Sequence, residues 1–355
     1  MTAIRIYREL DDRDSWPDLA GPLESGVAPG SIPPEDVAAA ALERLGVGRA
    51  VEVRGSDPWA EAGRKVIRLH LARMLTHVPG VLAGEDPEEV HAMRVAGRRV
   101  RAAWRVFGVG FEADARRQHQ RDLRVIGARL GAVRDLDVML QILDGYAARR
   151  PARQATALAP LRMAWQTERD VRHGALVDLL RSAMFETFVT GYADLAVTEG
   201  RDARPVAPHA PTTVRMRMPG AIWEAYQRVW AFDDDLPAAD MVTLHQLRIS
   251  AKWLRYTIES VREPLEPEAT GLLRRVVALQ DHLGDIHDLH GAALLARDAG
   301  TAVVGFGRAE RVATARFERH LDVRVARLRG GMGPTWRRLS GTGYRRDIGR
   351  AIARF

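Results

Sequence analysis

The sequence predicts an all-α protein whose two halves are related by internal duplication. From Trp59 onward, segments rich in Ala, Leu and Arg place apolar residues three and four positions apart, which is the spacing of an amphipathic helix. Few stretches alternate polar and apolar residues as a β-strand does. Two motifs recur in the same order along the chain, which indicates duplication. With 355 residues and 46% hydrophobic content, the chain is long enough to bury a substantial core.

The beginning of the chain differs from the rest. Residues 1–57 are rich in Pro and Gly and are predicted to form an extension of unknown role, with one short helix at residues 37–45. The first residues are partly acidic and lack the apolar core of a signal peptide, and no later stretch approaches the ~18 apolar residues of a membrane span. We therefore expect a soluble, cytoplasmic protein that does not enter a membrane. The absence of cysteine excludes disulfides, thiolate metal sites and a cysteine nucleophile.

A Pro-rich linker divides the remainder of the chain. It has the sequence RDARPVAPHAPT at residues 201–212, and its prolines lack the N–H group that a helix or inner strand would use. This predicts one domain at residues 58–340, made of a first helical half at 58–200 and a second at 213–340. Residues 341–355 are expected to form a basic C-terminal tail.

The repeated motifs are the most informative feature of the sequence. The first reads VHAMRVAGRRVRAAWRVF at residues 90–107 and LHQLRISAKWLRYTIESV at residues 244–261, which align without a gap. The second reads RLGAVRDLDV at residues 129–138 and HLGDIHDLHG at residues 282–291. Gly131 and Gly284, at matching positions of the second motif, are predicted to allow close helix packing.

On a helical wheel, the basic residues of the first motif share one face within an arc of about 80°. This basic stripe comprises His91, Arg94, Arg98, Arg101 and Arg105. The apolar Met93, Val100, Trp104 and Phe107 lie on the other side, within an arc of about 60°. In the second copy the basic stripe comprises His245, Arg248, Lys252 and Arg255, backed by Leu247, Leu254, Ile258 and Val261. Glu259 stands at the position of Arg105, so the second stripe ends one turn earlier.

The stripes are interpreted as a polyanion site rather than as solvated helix faces. No acidic residue lies between His91 and Arg105, so the first stripe lacks the partners four positions away that normally relieve like-charge repulsion. The net charge of +7 is modest, but the basic residues are clustered in the stripes, which favours binding of a polyanion there. Arginine also presents a planar fork of donors that suits phosphate. For His91 and His245 two roles remain open: a hydrogen bond to phosphate, or helix capping and packing.

Catalytic alternatives find little support in the sequence. The cluster DHLGDIHDLH at residues 281–290 resembles a metal site, but His282, His287 and His290 spread over about 140° of the wheel, and the first half has no matching imidazoles. A glycine-rich phosphate loop, GxSxG and HExxH are absent from the sequence. We therefore expect no catalytic residue, no metal and no cofactor.

In its repeated motifs, the sequence resembles the CHAD family of α-helical, histidine-containing domains. The resemblance is carried by residues 90–107 with 123–140 and by residues 244–261 with 279–289, and it extends over roughly residues 58–335. It implies two pseudo-symmetric four-helix bundles that face each other across a basic channel or groove. It also implies that this groove binds inorganic polyphosphate without chemistry, for which targeting to polyphosphate granules is one role.

The resemblance extends the candidate site beyond the stripes to Lys65 and Arg68, on the preceding helix. Arg134 is also part of the candidate site. The alternative is that Arg134 forms an ion pair with a neighbouring acid and has only a structural role. The predicted polyphosphate-binding residues are Lys65, Arg68, His91, Arg94, Arg98, Arg101, Arg105, Arg134, His245, Arg248, Lys252 and Arg255. The second wall is expected to be less basic, because Trp253 and Glu259 replace the first copy's Arg99 and Arg105.

Two other functions compete with polyphosphate binding. A single-stranded nucleic-acid binder usually adds aromatic platforms for the bases, whereas Trp104 lies on the apolar face and only Tyr256 falls near a stripe. Nucleic acid is therefore a weaker candidate partner. A metal-dependent polyphosphate hydrolase would need an acidic cluster near the stripe, which the sequence does not display.

Overall fold

The computed structural model describes residues 28–46, 52–234, 236–302 and 306–355. Within these ranges every regular element is a helix, apart from three isolated β-bridges, so the all-α prediction is confirmed. In chain order the α-helices are α1 (Pro34–Leu45), α2 (Trp59–Thr76), α3 (Val78–Ala83), α4 (Pro87–Phe107), α5 (Ala113–Ala147), α6 (Ala152–Thr156), α7 (Ala159–Leu180), α8 (Ala183–Val197), α9 (Val214–Trp230), α10 (Met241–Glu259), α11 (Arg262–Leu265), α12 (Glu268–Ala302), α13 (Arg308–Gly330), α14 (Gly333–Ser340) and α15 (Thr342–Ile352). Short 3-10 helices occupy Gly108–Gly110 and Leu236–Ala238.

Four helices of the first half have counterparts of similar length in the second half. Helices α2 and α9 have 18 and 17 residues, and α4 and α10 have 21 and 19. Helices α5 and α12 both have 35 residues, while α7 and α13 have 22 and 23. The repeated order and lengths agree with the duplication seen in the motifs.

The two stripe-bearing helices, α4 and α10, begin in the same way. The Asp86 carboxylate caps α4 by accepting a hydrogen bond from the Glu88 N–H, and the Asp240 carboxylate caps α10 by accepting one from the Thr243 N–H. A side-chain acceptor at this position satisfies one of the unpaired N–H groups of the first turn. Each cap lies five residues before the histidine that opens its stripe. Both stripes therefore start at the same height on their helices.

The core is formed by the faces opposite the stripes. On α4, Met93, Val100, Trp104 and Phe107 are at most 1% exposed, as the wheel predicts. On α10, the predicted apolar residues Leu247, Leu254 and Ile258 are fully buried, and so is Val261, which lies two residues after the helix ends. Burial of one such side chain stabilises the fold by about 1.5–3 kcal/mol, so each apolar face orients its helix. His245 and Arg248, on the basic face of α10, are also buried, whereas the basic residues of α4 are partly exposed.

The two halves meet mainly along four helix pairs. Helix α2 contacts α9, α4 contacts α10, α5 contacts α12, and α7 contacts α13. At the α5–α13 contact, the Tyr146 and Phe317 ring centroids lie 4.9 Å apart. The linker is joined to the first half by a hydrogen bond of 2.8 Å from the Trp59 N–H to the Thr212 carbonyl. The stripe-bearing helices of the two halves therefore lie side by side.

Both ends of the described chain pack on this core. Helix α1 contacts α8 and α2 and buries Val37, Ala38, Ala41 and Leu45, so this part of the predicted extension belongs to the folded body. Helix α15 contacts α12 and α9 and buries Tyr344, Ile348 and Ala351. The sequence analysis described residues 341–355 only as a basic tail and missed this packed helix. None of the helices in the described ranges is long and apolar enough to cross a membrane.

Candidate functional site

Basic residues of the first stripe converge on a cavity of about 240 Å³ between α4 and α5, which we call the first-half cavity. Its charged lining consists of Arg94, Arg98 and Arg101 from α4, Arg129 and Asp135 from α5, and Arg172 from α7. Five arginines and one carboxylate thus line the same small space. Such an excess of cations makes the cavity suited to an anion with several oxygen acceptors.

Glycines on α5 make room for the arginines of α4. Gly127 and Gly131 lie four residues apart, and both line the first-half cavity. A Cβ atom at Gly131 would lie 3.4 Å from the Arg94 Nε, and one at Gly127 would lie 3.9 Å from the Arg101 Nη1. The Arg94 and Arg101 guanidinium groups therefore lie next to two positions of α5 that carry no side chain.

This finding corrects the expectation that Gly131 and Gly284 serve close helix packing. At Gly131 the nearest atoms belong to the Arg94 guanidinium, not to a neighbouring backbone. At Gly284 a Cβ atom would meet no described atom within 4 Å. The first glycine accommodates a charged side chain, and the second faces open space.

The polar contacts of the first-half cavity leave it basic. The Arg94 Nη2 lies 3.8 Å from the Asp135 Oδ1, a long ion pair, and the Arg172 Nε donates a hydrogen bond of 2.5 Å to Glu168 on its own helix. The Arg129 Nε is buried and has no hydrogen-bond partner among the described residues. A buried N–H group without an acceptor is costly, and an anion in the cavity would supply one.

His91 lies at the N-terminal end of the first stripe, near Arg134. Burial lowers the pKa of the His91 imidazole, and neighbouring arginines, led by Arg134, lower it further against the opposing charge of Glu88. Both effects favour the neutral form of His91. The Arg134 Nη1 donates a hydrogen bond of 3.4 Å to the Glu88 Oε1. Because Asp86 caps the helix, the capping role for His91 does not apply.

In the second half, the corresponding residues form a hydrogen-bonded network. The Arg248 Nη2 lies 3.1 Å from the His287 Nε2, and the His287 Nδ1 lies 3.2 Å from the Asp288 Oδ1. Since Arg248 is always a donor, His287 accepts at Nε2 and carries its proton at Nδ1. His245 is buried and stacks on His287 with ring centroids 5.4 Å apart. For His245 the structure thus provides a packing role.

The Asp288 carboxylate links the two halves electrostatically. Burial raises its pKa, but the His287 hydrogen bond, together with the charges of Arg248 and Arg94, outweighs burial and lowers the pKa overall. Arg94 belongs to the first stripe and Arg248 to the second, so both stripes act on one carboxylate. The Arg99 Nη2 of α4 also lies 3.6 Å from the Glu259 Oε2 of α10.

The end of the second stripe is neutralised within its own half. The Arg255 Nε donates a hydrogen bond of 2.7 Å to the Glu259 Oε1, and the Arg255 Nη1 donates one of 3.1 Å to the Gln280 Oε1. In the aligned repeat, Gln280 takes the place of Gly127, and Glu259 takes the place of Arg105. Lys252 is half-buried between Arg248 and Arg255 along α10.

Arg105 does not join the other residues of the first stripe. Its guanidinium carbon lies 4.5 Å from the Trp253 ring centroid, a cation–π contact between α4 and α10. Burial lowers the pKa of Arg105, and the nearby Arg228 lowers it further. Arg105 instead lines a cavity of about 1140 Å³ whose walls include much of the 201–212 linker and many apolar side chains. The wheel grouped Arg105 with the stripe because it ignores distance along the helix axis.

The hydrogen bonds of Lys65 and Arg68 are directed to the N-terminal segment. The Lys65 Nζ donates to the Asp57 Oδ2 over 2.7 Å and to the Glu52 carbonyl over 3.3 Å. The Arg68 Nε donates a hydrogen bond of 2.6 Å to the Leu45 carbonyl at the end of α1. These contacts give both residues a structural role, and their part in binding polyphosphate stays a prediction.

Sequence reasoning missed Gly127, Arg129 and Arg172 as parts of the site. The spacing of Gly127 and Gly131 was the available signal, since two glycines on one face of a long helix expose backbone to whatever packs there. Arg172 comes from a distant helix, and no local pattern pointed to it. Among the residues that the structure describes, no group of three or more His, Asp or Glu side chains is arranged to hold a metal ion.

Comparisons with known proteins identify the family. The family model for the CHAD domain matches residues 65–297. The crystal structure of the CHAD domain from the plant Ricinus communis has a TM-score of 0.64 and 21% identity, covering 81% of this chain and 94% of that chain. PptA from Streptomyces chartreusis has a TM-score of 0.63 and 19% identity, covering 79% of this chain and 100% of that chain. No curated protein sequence matches significantly. Since the family model spans most of the chain, this protein belongs to the CHAD family.

Proposed function

We propose that this protein binds inorganic polyphosphate through the basic residues of α4 and α10 and catalyses no reaction. The observation that carries the proposal is the first-half cavity, where five arginines and one carboxylate line about 240 Å³. Phosphate oxygens accept paired hydrogen bonds from the arginine fork, and the polymer offers about one negative charge per residue, as nucleic-acid backbones do. Binding of this kind would serve targeting to polyphosphate granules or delivery of polymer to a separate enzyme.

The proposal includes the arrangement of the two halves. Helices α2, α4, α5 and α7 would form one four-helix bundle, and α9, α10, α12 and α13 the other, with a basic groove along the α4–α10 contact. Support comes from the matched helix lengths and from the electrostatic effect of Arg94 and Arg248 on the same carboxylate, Asp288. A flexible polyanion lying in this groove would contact both stripes.

The surroundings of the tryptophans favour a polymer without bases over single-stranded nucleic acid. Trp104 is 1% exposed and donates a hydrogen bond from its indole Nε1 to the Tyr192 hydroxyl. Trp253 has the Arg105 guanidinium over its ring. Neither indole lines the first-half cavity. A site that recognises bases needs open aromatic faces beside its cations.

Calorimetric titration tests the proposal directly. Long-chain polyphosphate and poly-dT of similar total charge would be titrated into the protein at two salt concentrations, and phosphate release would be assayed with magnesium. We expect tight polyphosphate binding that weakens steeply with salt, weaker poly-dT binding and no released phosphate. Poly-dT binding of equal strength would favour the nucleic-acid function, and steady phosphate release would establish an enzyme.

Charge-reversal variants locate the binding. Arg98→Glu/Lys252→Glu reverses one position of each stripe and is expected to weaken polyphosphate binding by more than about tenfold. The control is Arg311→Glu/Arg316→Glu, which makes the same change in net charge at two exposed positions of α13 and should leave binding nearly unchanged. Equal losses in the two double variants would mean that only overall charge matters, and the groove would be excluded.

A further inference from the structure

The two copies of the repeat differ at the positions that surround the α4–α5 contact. In the first half, Gly127 has no side chain and leaves space in the cavity next to the Arg101 guanidinium. In the second half, Gln280 occupies the aligned position and its Oε1 accepts a hydrogen bond from Arg255. A side chain thus fills the space that the first half leaves open.

Two arginines that line the first-half cavity also differ from their second-half counterparts in what they contact. Arg129 lines the first-half cavity, whereas its aligned counterpart His282 has its Nε2 2.8 Å from the Leu328 carbonyl on α13. Arg94 lies over Gly131, whereas its counterpart Arg248 binds His287. In the second half, His287 engages Arg248 where the first half has Arg134, and Gln280 engages Arg255 where the first half has Gly127.

The size of the first-half cavity limits what can enter it. A volume of about 240 Å³ corresponds to roughly eight water molecules at about 30 Å³ each. A phosphoryl group has four heavy atoms, but bonded atoms lie closer together than neighbouring water molecules, so the group takes the room of only about two to three waters. The cavity therefore holds on the order of three such groups. An extended polymer does not fit inside it, but one short section of polymer does.

We propose that the first-half cavity is the primary anion seat among the residues that the structure describes and takes a short section of about three phosphoryl groups. The second stripe contacts the polymer only from outside, along the groove. This inference rests on the proposed function and adds that the two halves bind the polymer unequally. A chain with two equivalent stripes would bind two short oligophosphates, whereas a chain with one seat binds one.

The test uses tripolyphosphate as a probe in calorimetric titration of the full chain. The matched variants are Gly127→Gln, which installs the second-half residue in the first half, and Gln280→Gly, which makes the reverse change. We expect one tripolyphosphate per wild-type chain, an affinity loss of at least about tenfold in Gly127→Gln, and a change of no more than about twofold in Gln280→Gly. Two equal sites, an unaffected Gly127→Gln, or an equal loss in Gln280→Gly would overturn the proposal.

Two further variants distinguish a specific loss of tripolyphosphate binding from a loss caused by misfolding. In Gly127→Ala the added Cβ atom would lie 3.9 Å from the Arg101 Nη1, an ordinary contact, so folding and binding should both persist. Arg129→His installs the second-half residue in the cavity wall and should weaken tripolyphosphate binding while circular dichroism stays unchanged. Retained wild-type affinity in a folded Arg129→His would count against the seat.

Long-chain polyphosphate separates this inference from the proposed function. If the wild type binds the long polymer in a salt-dependent way but the reciprocal variants bind tripolyphosphate equally, the single seat is wrong and the binding function stands. If the wild type binds neither ligand, both the seat and the proposed function are wrong.

Discussion

In the first half Arg101 lies over Gly127, whereas in the second half its counterpart Arg255 is held by Gln280 and Glu259. The helices that carry these residues have similar lengths and the same order, and α4 and α10 both begin with an aspartate cap. A duplicated unit can therefore keep its helix-forming and core-forming pattern while a few substitutions change its polar face. The comparison teaches that repeat symmetry in a sequence does not guarantee two equal sites.

A second difference lies at the N-terminal ends of the stripes. His91 is neighboured by Arg134, which binds Glu88. His245 instead stacks on His287, the residue aligned with Arg134, and is 7% exposed. The first histidine remains partly accessible to a ligand, while the second belongs to a packed network.

The largest expected effect comes from reversing charge in one half at a time. Arg98→Glu/Arg101→Glu should weaken polyphosphate binding at least about 100-fold, since two lost charge-assisted contacts of about 1.5 kcal/mol each correspond to roughly that factor. Lys252→Glu/Arg255→Glu should cost only about tenfold, because Glu259 and Gln280 already engage Arg255. Titration of both double variants measures the ratio, and equal losses would contradict the asymmetry.

Stability offers a second comparison between the halves. Tyr192→Phe removes the acceptor of the buried Trp104 Nε1, at 2.9 Å, and should lower the free energy of unfolding by about 1–2 kcal/mol. Tyr226→Phe removes a longer bond of 3.3 Å to the Leu339 carbonyl and should cost less than about 1 kcal/mol. Denaturant titration of the wild type and both variants gives the two changes in the free energy of unfolding, provided that the m-values agree. A larger loss for Tyr226→Phe would reverse the expected order.

A smaller effect should follow from removing the acid of the second stripe. Glu259→Gln releases Arg255 and Arg99 from a carboxylate, so polyphosphate affinity should rise about threefold and its salt dependence should steepen. Glu263→Gln makes the same charge change at an exposed position and serves as the control. Titration at three salt concentrations compares the two variants, and an equal gain in both would show a general charge effect.

The smallest expected effect concerns pH. The pKa of His91 is lowered in the free protein, and a bound polyanion would raise it, so binding takes up a proton. Affinity should therefore increase as the pH falls, by about threefold between about pH 8 and pH 6, and His91→Gln should remove this gain. Titration across this range checks the sign, and an unchanged pH profile in His91→Gln would assign the effect to another group.

Most of the fold could be predicted from the sequence because it depends on local patterns. The spacing of Met93, Val100, Trp104 and Phe107 fixed which face of α4 is buried, and all four residues lie in the core. Helix α15 (Thr342–Ile352), within the predicted tail, escaped prediction, since its burial depends on where α12 and α9 pass. A short, strongly basic segment carries too few apolar residues to indicate such packing by itself.

The sequence by itself determined the all-helical fold, the repeat and the basic positions, because helix periodicity assigns each residue to a face. Only the tertiary structure decided which basic residues meet. Arg105 shares a face with Arg101 but reaches Trp253, and Arg129 and Arg172 enter the cavity from two other helices. A helical wheel contains no information about the neighbouring helices, and a binding site is formed by side chains that several helices bring together.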